Sequence, residues 1–139
     1  VVSESETGIT VQGPAQLKGL DEVSFAGFSD TFMTLAAIAA FADSATTITG
    51  IAHTRHQESD RVESIATGLR ALGVSIETTE DSITIEPGIP VGAKVSSCGD
   101  HRIAMSLSVV GLKVPGVVIE DAQAVKKTCP NFYALLRLM

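Results

Sequence analysis

The stretch from Thr46 to Glu86 constrains the fold most, because its hydrophobic period changes along its length. Thr46 to Ala52 (TTITGIA) is β-branched and reads as a strand. From Glu58 to Leu72, Val62, Ile65, Ala66, Leu69 and Leu72 recur at the spacing of one helical face, and Gly73 supplies a C-terminal stop. Val74 to Thr78 and Ser82 to Glu86 then alternate with period two around a tight turn at Glu80 and Asp81. A chain that switches between these periods has to cover a sheet with helices.

The flanking segments extend the rhythm. Gly8 to Gly13 alternates between bracketing glycines and predicts a strand, and Val23 to Phe28 a short extended piece. Ser29 and Asp30 are good N-caps for an Ala-rich, buried helix from about Thr31 to Ala42. After the loop Pro87 to Gly92 come a strand over Ala93 to Ser97, a helix over Asp100 to Leu112, a strand over Gly116 to Ala122, and a last helix over Asn131 to Leu138, opened by Pro130. Ile103, Ala104, Leu107 and Val110 should face inward from the third helix. The class is α/β (α+β): a βαβαββ unit and a partial second copy.

At 139 residues the chain is long enough for one domain with a real core. Aromatics make up only 4%, so aliphatic residues must build that core. A net charge of −6 argues against a general nucleic-acid surface. The polar, acidic start is unlike a signal peptide. The longest apolar run, Phe32 to Ala42, is short of the roughly 20 residues that span a bilayer. Cys98 and Cys129 form no CxxC pair and read as ordinary thiols in a reducing compartment. A soluble, cytoplasmic protein that binds neither nucleic acid nor membrane is expected.

Charge gathers at the strand-to-helix junctions. Asp30 opens the first helix; Glu58, Asp60 and Arg61 the second; Asp100, His101 and Arg102 the third; Lys126 and Lys127 precede the fourth. Carboxylates at helix N-termini are ordinary dipole partners, whereas Arg61 and Arg102 place cations beside positive helix ends. Something negative must compensate: Glu58 or Asp100, or a bound carboxylate or phosphate. If the helices share one sheet face, Arg61, Arg102 and Lys127 converge on a small anion, with Asp30 and Glu58 as acid–base groups. Surface ion pairs worth roughly 0–1 kcal/mol each are the alternative. His53, His56 and His101 lack a metal-ligand spacing, and neither a P-loop, a GxGxxG motif nor a GxSxG elbow is present.

Taken together, the junction motifs resemble the C-terminal part of the 5-enolpyruvylshikimate-3-phosphate synthase family. "SDTFMTLAAIAAFADSATTITGIAH" looks like its Pro/Ser-Asp-x-x-Met-Thr helix and following strand. "QESDRVESIATGLRALGV" looks like its Lys-Glu-Thr/Ser-Asp-Arg helix, "GDHRIAMSLSVVGL" its Asp-His-Arg-Met-Ala-Met-Ser motif, and "KKTCPNFYALL" its Lys-Thr-Phe-Pro-x-Phe tail. The resemblance runs from about Gly8 onward. It implies the inside-out α/β barrel of enolpyruvyl transferases, built of βαβαββ units, with residues 1–139 as part of the C-terminal domain and the N-terminal domain absent. The isolated fragment should then be inactive.

The implied reaction moves the enolpyruvyl group of phosphoenolpyruvate to the 5-hydroxyl of shikimate 3-phosphate and releases phosphate, without metal or organic cofactor. By resemblance, Asp30 takes the hydroxyl proton and Glu58 serves the phosphoenolpyruvate methylene; Arg61, Arg102 and Lys127 bind phosphoenolpyruvate, and His101 supports them. The resemblance also puts Asp30, His53 and Gln57 at positions that bind shikimate 3-phosphate in the family. Gln57 stands where the family usually has lysine, His53 where many members have asparagine, and His56 replaces a usual valine. The sister transferase acting on UDP-N-acetylglucosamine is the rival enzyme, against which the Asp-His-Arg and Lys-Thr-x-Pro motifs speak. A non-catalytic binding module of the same fold is the rival of another kind.

Overall fold

A computed structural model describes residues 1–138, so Met139, the last residue of the expected domain, lies outside the described residues. The chain starts with an antiparallel hairpin, β1 (Val2–Ser5) on β2 (Gly8–Val11), whose residues are all exposed. The expected strand at Gly8 is therefore present, and the polar start, which gave no strand signal, is its partner. β3 (Val23–Ser24) leads through a 3-10 turn at Ser29–Thr31 into α1 (Phe32–Ala39). The helix is shorter than expected at both ends, and neither Ser29 nor Asp30 caps it. Its N-cap is Thr31, whose side chain makes no capping hydrogen bond. The Asp30 carboxylate is instead drawn to two arginines.

β4 (Thr46–Thr49) follows, then a 3-10 turn at Ala52–His56 and α2 (Arg61–Ala71). α2 begins at Arg61 rather than Glu58, because Asp60 is extended and accepts a hydrogen bond from the Glu63 amide at 3.0 Å. At the other end Gly73 takes φ +84°, a left-handed C-terminal stop that glycine adopts without strain. β5 (Ser75–Thr78) and β6 (Ser82–Glu86) form the expected hairpin. β7 (Lys94–Ser96), α3 (His101–Gly111), β8 (Val118–Glu120), a 3-10 turn at Ala122–Lys127 and α4 (Phe132–Leu136) complete the chain.

The main sheet has the order β3-β4-β6-β5. β3 and β4 are parallel; the other neighbours are antiparallel, with Ile48 opposite Ile83 and Ile76 opposite Ile85. Period-two alternation thus sends these isoleucines to one face, where they are buried with the inward residues of α1 and α2. On the other face the Thr47 and Thr84 hydroxyls meet at 3.0 Å. β7 and β8 form a separate parallel pair joined through α3. Ile103, Ala104, Leu107 and Val110 are fully buried, as the period required. Gly68 of α2 allows Leu107 of α3 to approach so closely that a Cβ there would sit 2.7 Å from a leucine methyl. Among the described residues, no helix is long and apolar enough to cross a membrane.

Candidate active site

The four junctions marked by charge meet in space. Asp30 comes from the turn before α1, Glu58 from the loop before α2, and Arg61 is the first residue of α2. Asp100 is the N-cap of α3, His101 and Arg102 are its first residues, and Lys127 ends the last 3-10 turn. Cys98 and Gly99 both take positive φ (53° and 68°), a sharp bend that delivers Asp100 to the helix start.

Asp30 joins the two arginines. Arg61 Nη1 donates to Oδ1 at 3.0 Å and Arg102 Nη2 to Oδ2 at 2.9 Å, while Arg102 Nη1 donates to the Asp30 carbonyl at 3.2 Å. Glu58 gathers the rest. Lys127 Nζ donates to Oε1 at 2.7 Å, and Arg61 Nη2 lies 3.7 Å from Oε2. His101 Nδ1 is 2.8 Å from Oε2, but outside hydrogen-bond direction, so the two groups touch without a directed bond.

Exposure grades the cluster from floor to rim. Asp100 is fully buried and the Arg61 side chain is 6% exposed, whereas those of Asp30 and Lys127 are 51% and 60% exposed. The Arg61–Asp100 pair at 2.8 Å is therefore no surface ion pair. Burial alone would raise the Asp100 carboxyl above its ordinary value. The Arg61 guanidinium, the Arg102 amide and the Ser59 hydroxyl outweigh it and leave the group below that value.

The acceptor-side residues behave less simply. Gln57 does not stand free: its carboxamide oxygen accepts from Arg61 Nη1. His53 is exposed, and its Nε2 lies 2.8 Å from the Ser29 hydroxyl, next to Asp30 in sequence. Arg55 is occupied elsewhere, bonded to the Asp60 carboxylate and to the carbonyls of Thr79 and Glu80. The sequence offered Asp100, alongside Glu58, as a compensator of Arg61 and Arg102; that it is the close, buried partner of Arg61, with Ser59 beside it, was not legible.

Glu58, Asp100 and His101 offer ligand atoms within 4.8 Å of one another. Those carboxylates are already engaged by Arg61 and Lys127, and a metal ion would have to share the space with both cations. The chemistry this geometry favours is the binding of a small, highly charged anion beside two carboxylates that can exchange protons.

Comparison with known proteins gives the family. The family profile of EPSP synthase (3-phosphoshikimate 1-carboxyvinyltransferase) matches residues 1–136. The 3-phosphoshikimate 1-carboxyvinyltransferase of Nostoc punctiforme is 43% identical over 132 residues, which is 95% of this chain and 31% of that protein. Its counterpart from Methanoculleus marisnigri is 44% identical over 97% of this chain and 32% of the relative. The structure of EPSP synthase from Acinetobacter baumannii superposes with a TM-score of 0.86 at 34% identity, covering 94% of this chain and 32% of that one. The enolpyruvyl transferase NikO from Streptomyces tendae, 20% identical over 99% of this chain and 32% of that one, shares the fold with a TM-score of 0.78.

Fold and site thus define, first, a piece of the enolpyruvyl transferase architecture. The identities are high enough to go one level finer. The chain belongs to the EPSP synthase (3-phosphoshikimate 1-carboxyvinyltransferase) family, and spans about 31% of the length of the curated relatives it matches.

Proposed function

We propose that the protein carrying this chain transfers the enolpyruvyl group of phosphoenolpyruvate to the 5-hydroxyl of shikimate 3-phosphate in the cytoplasm, and that these residues form the C-terminal-domain side of its active site. The observation that carries this is the meeting of Arg61, Arg102 and Lys127 around Asp30 and Glu58. The rest of the active site would come from the part of the family enzyme that this chain does not include.

Phosphoenolpyruvate is a small polyanion, and fixed guanidinium forks suit its carboxylate and phosphate oxygens. Asp30 would accept the proton of the attacking hydroxyl. Glu58 would give a proton to the methylene carbon as the C–O bond forms. The tetrahedral adduct would then return a methyl proton to Glu58 and expel phosphate, restoring the double bond, and the proton held by Asp30 would leave with the phosphate. Arg61, Arg102 and Lys127 would hold the phosphate as charge builds on it. His101, against Glu58, would support that residue. His53 and Gln57 would border the shikimate 3-phosphate side, with Gln57 reaching the ligand through its amide group while its oxygen stays on Arg61.

Kinetics of the whole protein test this. Arg102→Ala should lower turnover of phosphoenolpyruvate and shikimate 3-phosphate at least about 100-fold. Wild-type rates in that variant would remove the donor-site assignment, and phosphate release with UDP-N-acetylglucosamine alone would transfer the protein to the sister activity.

A further inference from the structure

We propose that Asp100 is the positioning residue of this site: its buried carboxylate locks the Arg61 guanidinium to the start of α3, so that Arg61 and Arg102 face one ligand. The inference rests on the anion-site reading above and adds to it a group that touches no ligand.

Asp100 is fully buried, so no substrate reaches it. Both of its oxygens are committed. Oδ1 accepts the Arg102 amide at 2.8 Å, which fixes the first turn of α3. Oδ2 accepts Arg61 Nε at 2.8 Å and the Ser59 hydroxyl at 3.2 Å. A guanidinium held at Nε has its remaining donors directed away from that contact. In Arg61 these are Nη1, on Asp30 and Gln57, and Nη2, near Glu58. One carboxylate therefore sets the aim of one arginine through its side chain and of the other through its helix.

Asp60 provides an internal contrast. It too caps a helix, α2, and it too binds an arginine. That arginine is Arg55, which turns to the Thr79 and Glu80 carbonyls and takes no part in the cluster. Capping plus ion pairing is thus common to both aspartates, and of the two it is Asp100 that couples two cations of the site.

The decisive variant is Asp100→Asn. Asparagine caps helices as well as aspartate but has one acceptor oxygen, so it cannot serve both the α3 amide and Arg61 Nε. In the whole protein it should lower kcat/KM for phosphoenolpyruvate on the order of 10²-fold, the scale of a misaimed reacting group. KM for shikimate 3-phosphate should change much less. Asp60→Asn, as a control, should leave both constants within about twofold while lowering the melting temperature. In an Arg61→Lys background, Asp100→Asn should add little, because the residue acts through Arg61. Equal kcat/KM in wild type and Asp100→Asn, or a full multiplicative effect in the Arg61→Lys background, would overturn the proposal.

Nitrogen-15 spectra of the whole protein give a readout independent of activity. The Arg61 Nε–H should exchange slowly in the wild type and lose that protection in Asp100→Asn. If Asp100→Asn fails to fold, Asp100→Ser, which still caps α3 but is too short to accept from Arg61 Nε, should lose the same protection. An unprotected Nε–H in the folded wild type, or unchanged protection in the folded variant, sinks the positioning role. If the whole protein shows no enolpyruvyl transfer, the functional reading falls, while this signal still decides whether Asp100 positions Arg61.

Discussion

Val23–Glu86 and Lys94–Leu136 both run strand, helix, strand, and they differ in what covers them. In the first segment the return hairpin β5–β6 adds to the sheet, and Ile48, Ile83 and Ile85 are completely buried. In the second the sheet stops at two strands, Val118 is 53% exposed, and α4 contributes no buried residue. An open groove of about 570 Å³ lies beside β8, bordered by Ser108, Gly111, Ile119, Tyr133 and Leu136. Yet α3 is as well buried as α2. Beside the turn Ala122–Lys127 of its own segment, its support comes from the first segment: Leu107 packs against Gly68, and the Ser106 and Thr34 hydroxyls meet at 3.2 Å. The contrast teaches that the site residues of α3 are placed by contact with the other segment, not by their own sheet.

The largest expected effect tests that dependence. Leu107→Ala should cost about 2–5 kcal/mol in a denaturant titration, because the cavity lies between α3 and Gly68 of α2. A loss well under about 1 kcal/mol would mean that α3 stands on its own strands, and the contrast would be broken. A smaller effect concerns the bridge between the segments. The folded Asp100 carboxyl lies below its ordinary value of 3.8, so its contribution is complete above that pH and is lost as pH falls through the lower folded value. Asp100→Asn should therefore flatten the fall of stability with acid in this range. An unchanged slope would place the acid sensitivity elsewhere. The smallest effect should come from β8: Val118→Ala should stay within about 0.5 kcal/mol of wild type, since the side chain is half exposed. A larger loss would show that the second sheet is less open than it stands here.

What the sequence revealed follows the same division. α2 and α3 were legible because each buries one complete face, and burial enforces the helical period. β1 was not, because a hairpin exposed on both sides is under no such constraint. The cap of α1 was misplaced at Ser29 and Asp30, and the start of α2 at Glu58, because local capping rules assume that a carboxylate serves its own helix. Here arginines and a lysine from other elements claim both groups. The meeting of Arg61, Arg102 and Lys127 was visible as charge repeated at junctions. Which of the two offered carboxylates, Glu58 or Asp100, holds Arg61 closely was hidden, because capping by itself accounts for an aspartate at the start of α3.

One consequence concerns how a ligand would arrive. Arg61, Arg102 and Lys127 each already have a carboxylate: Asp100, Asp30 and Glu58. The cradle is electrically settled before anything enters, so it projects little field into solution and should draw an anion only weakly from afar. Capture would then proceed by exchange, with oxygens of the newcomer displacing Asp30 and Glu58 from the cations, and its rate should respond only mildly to added salt.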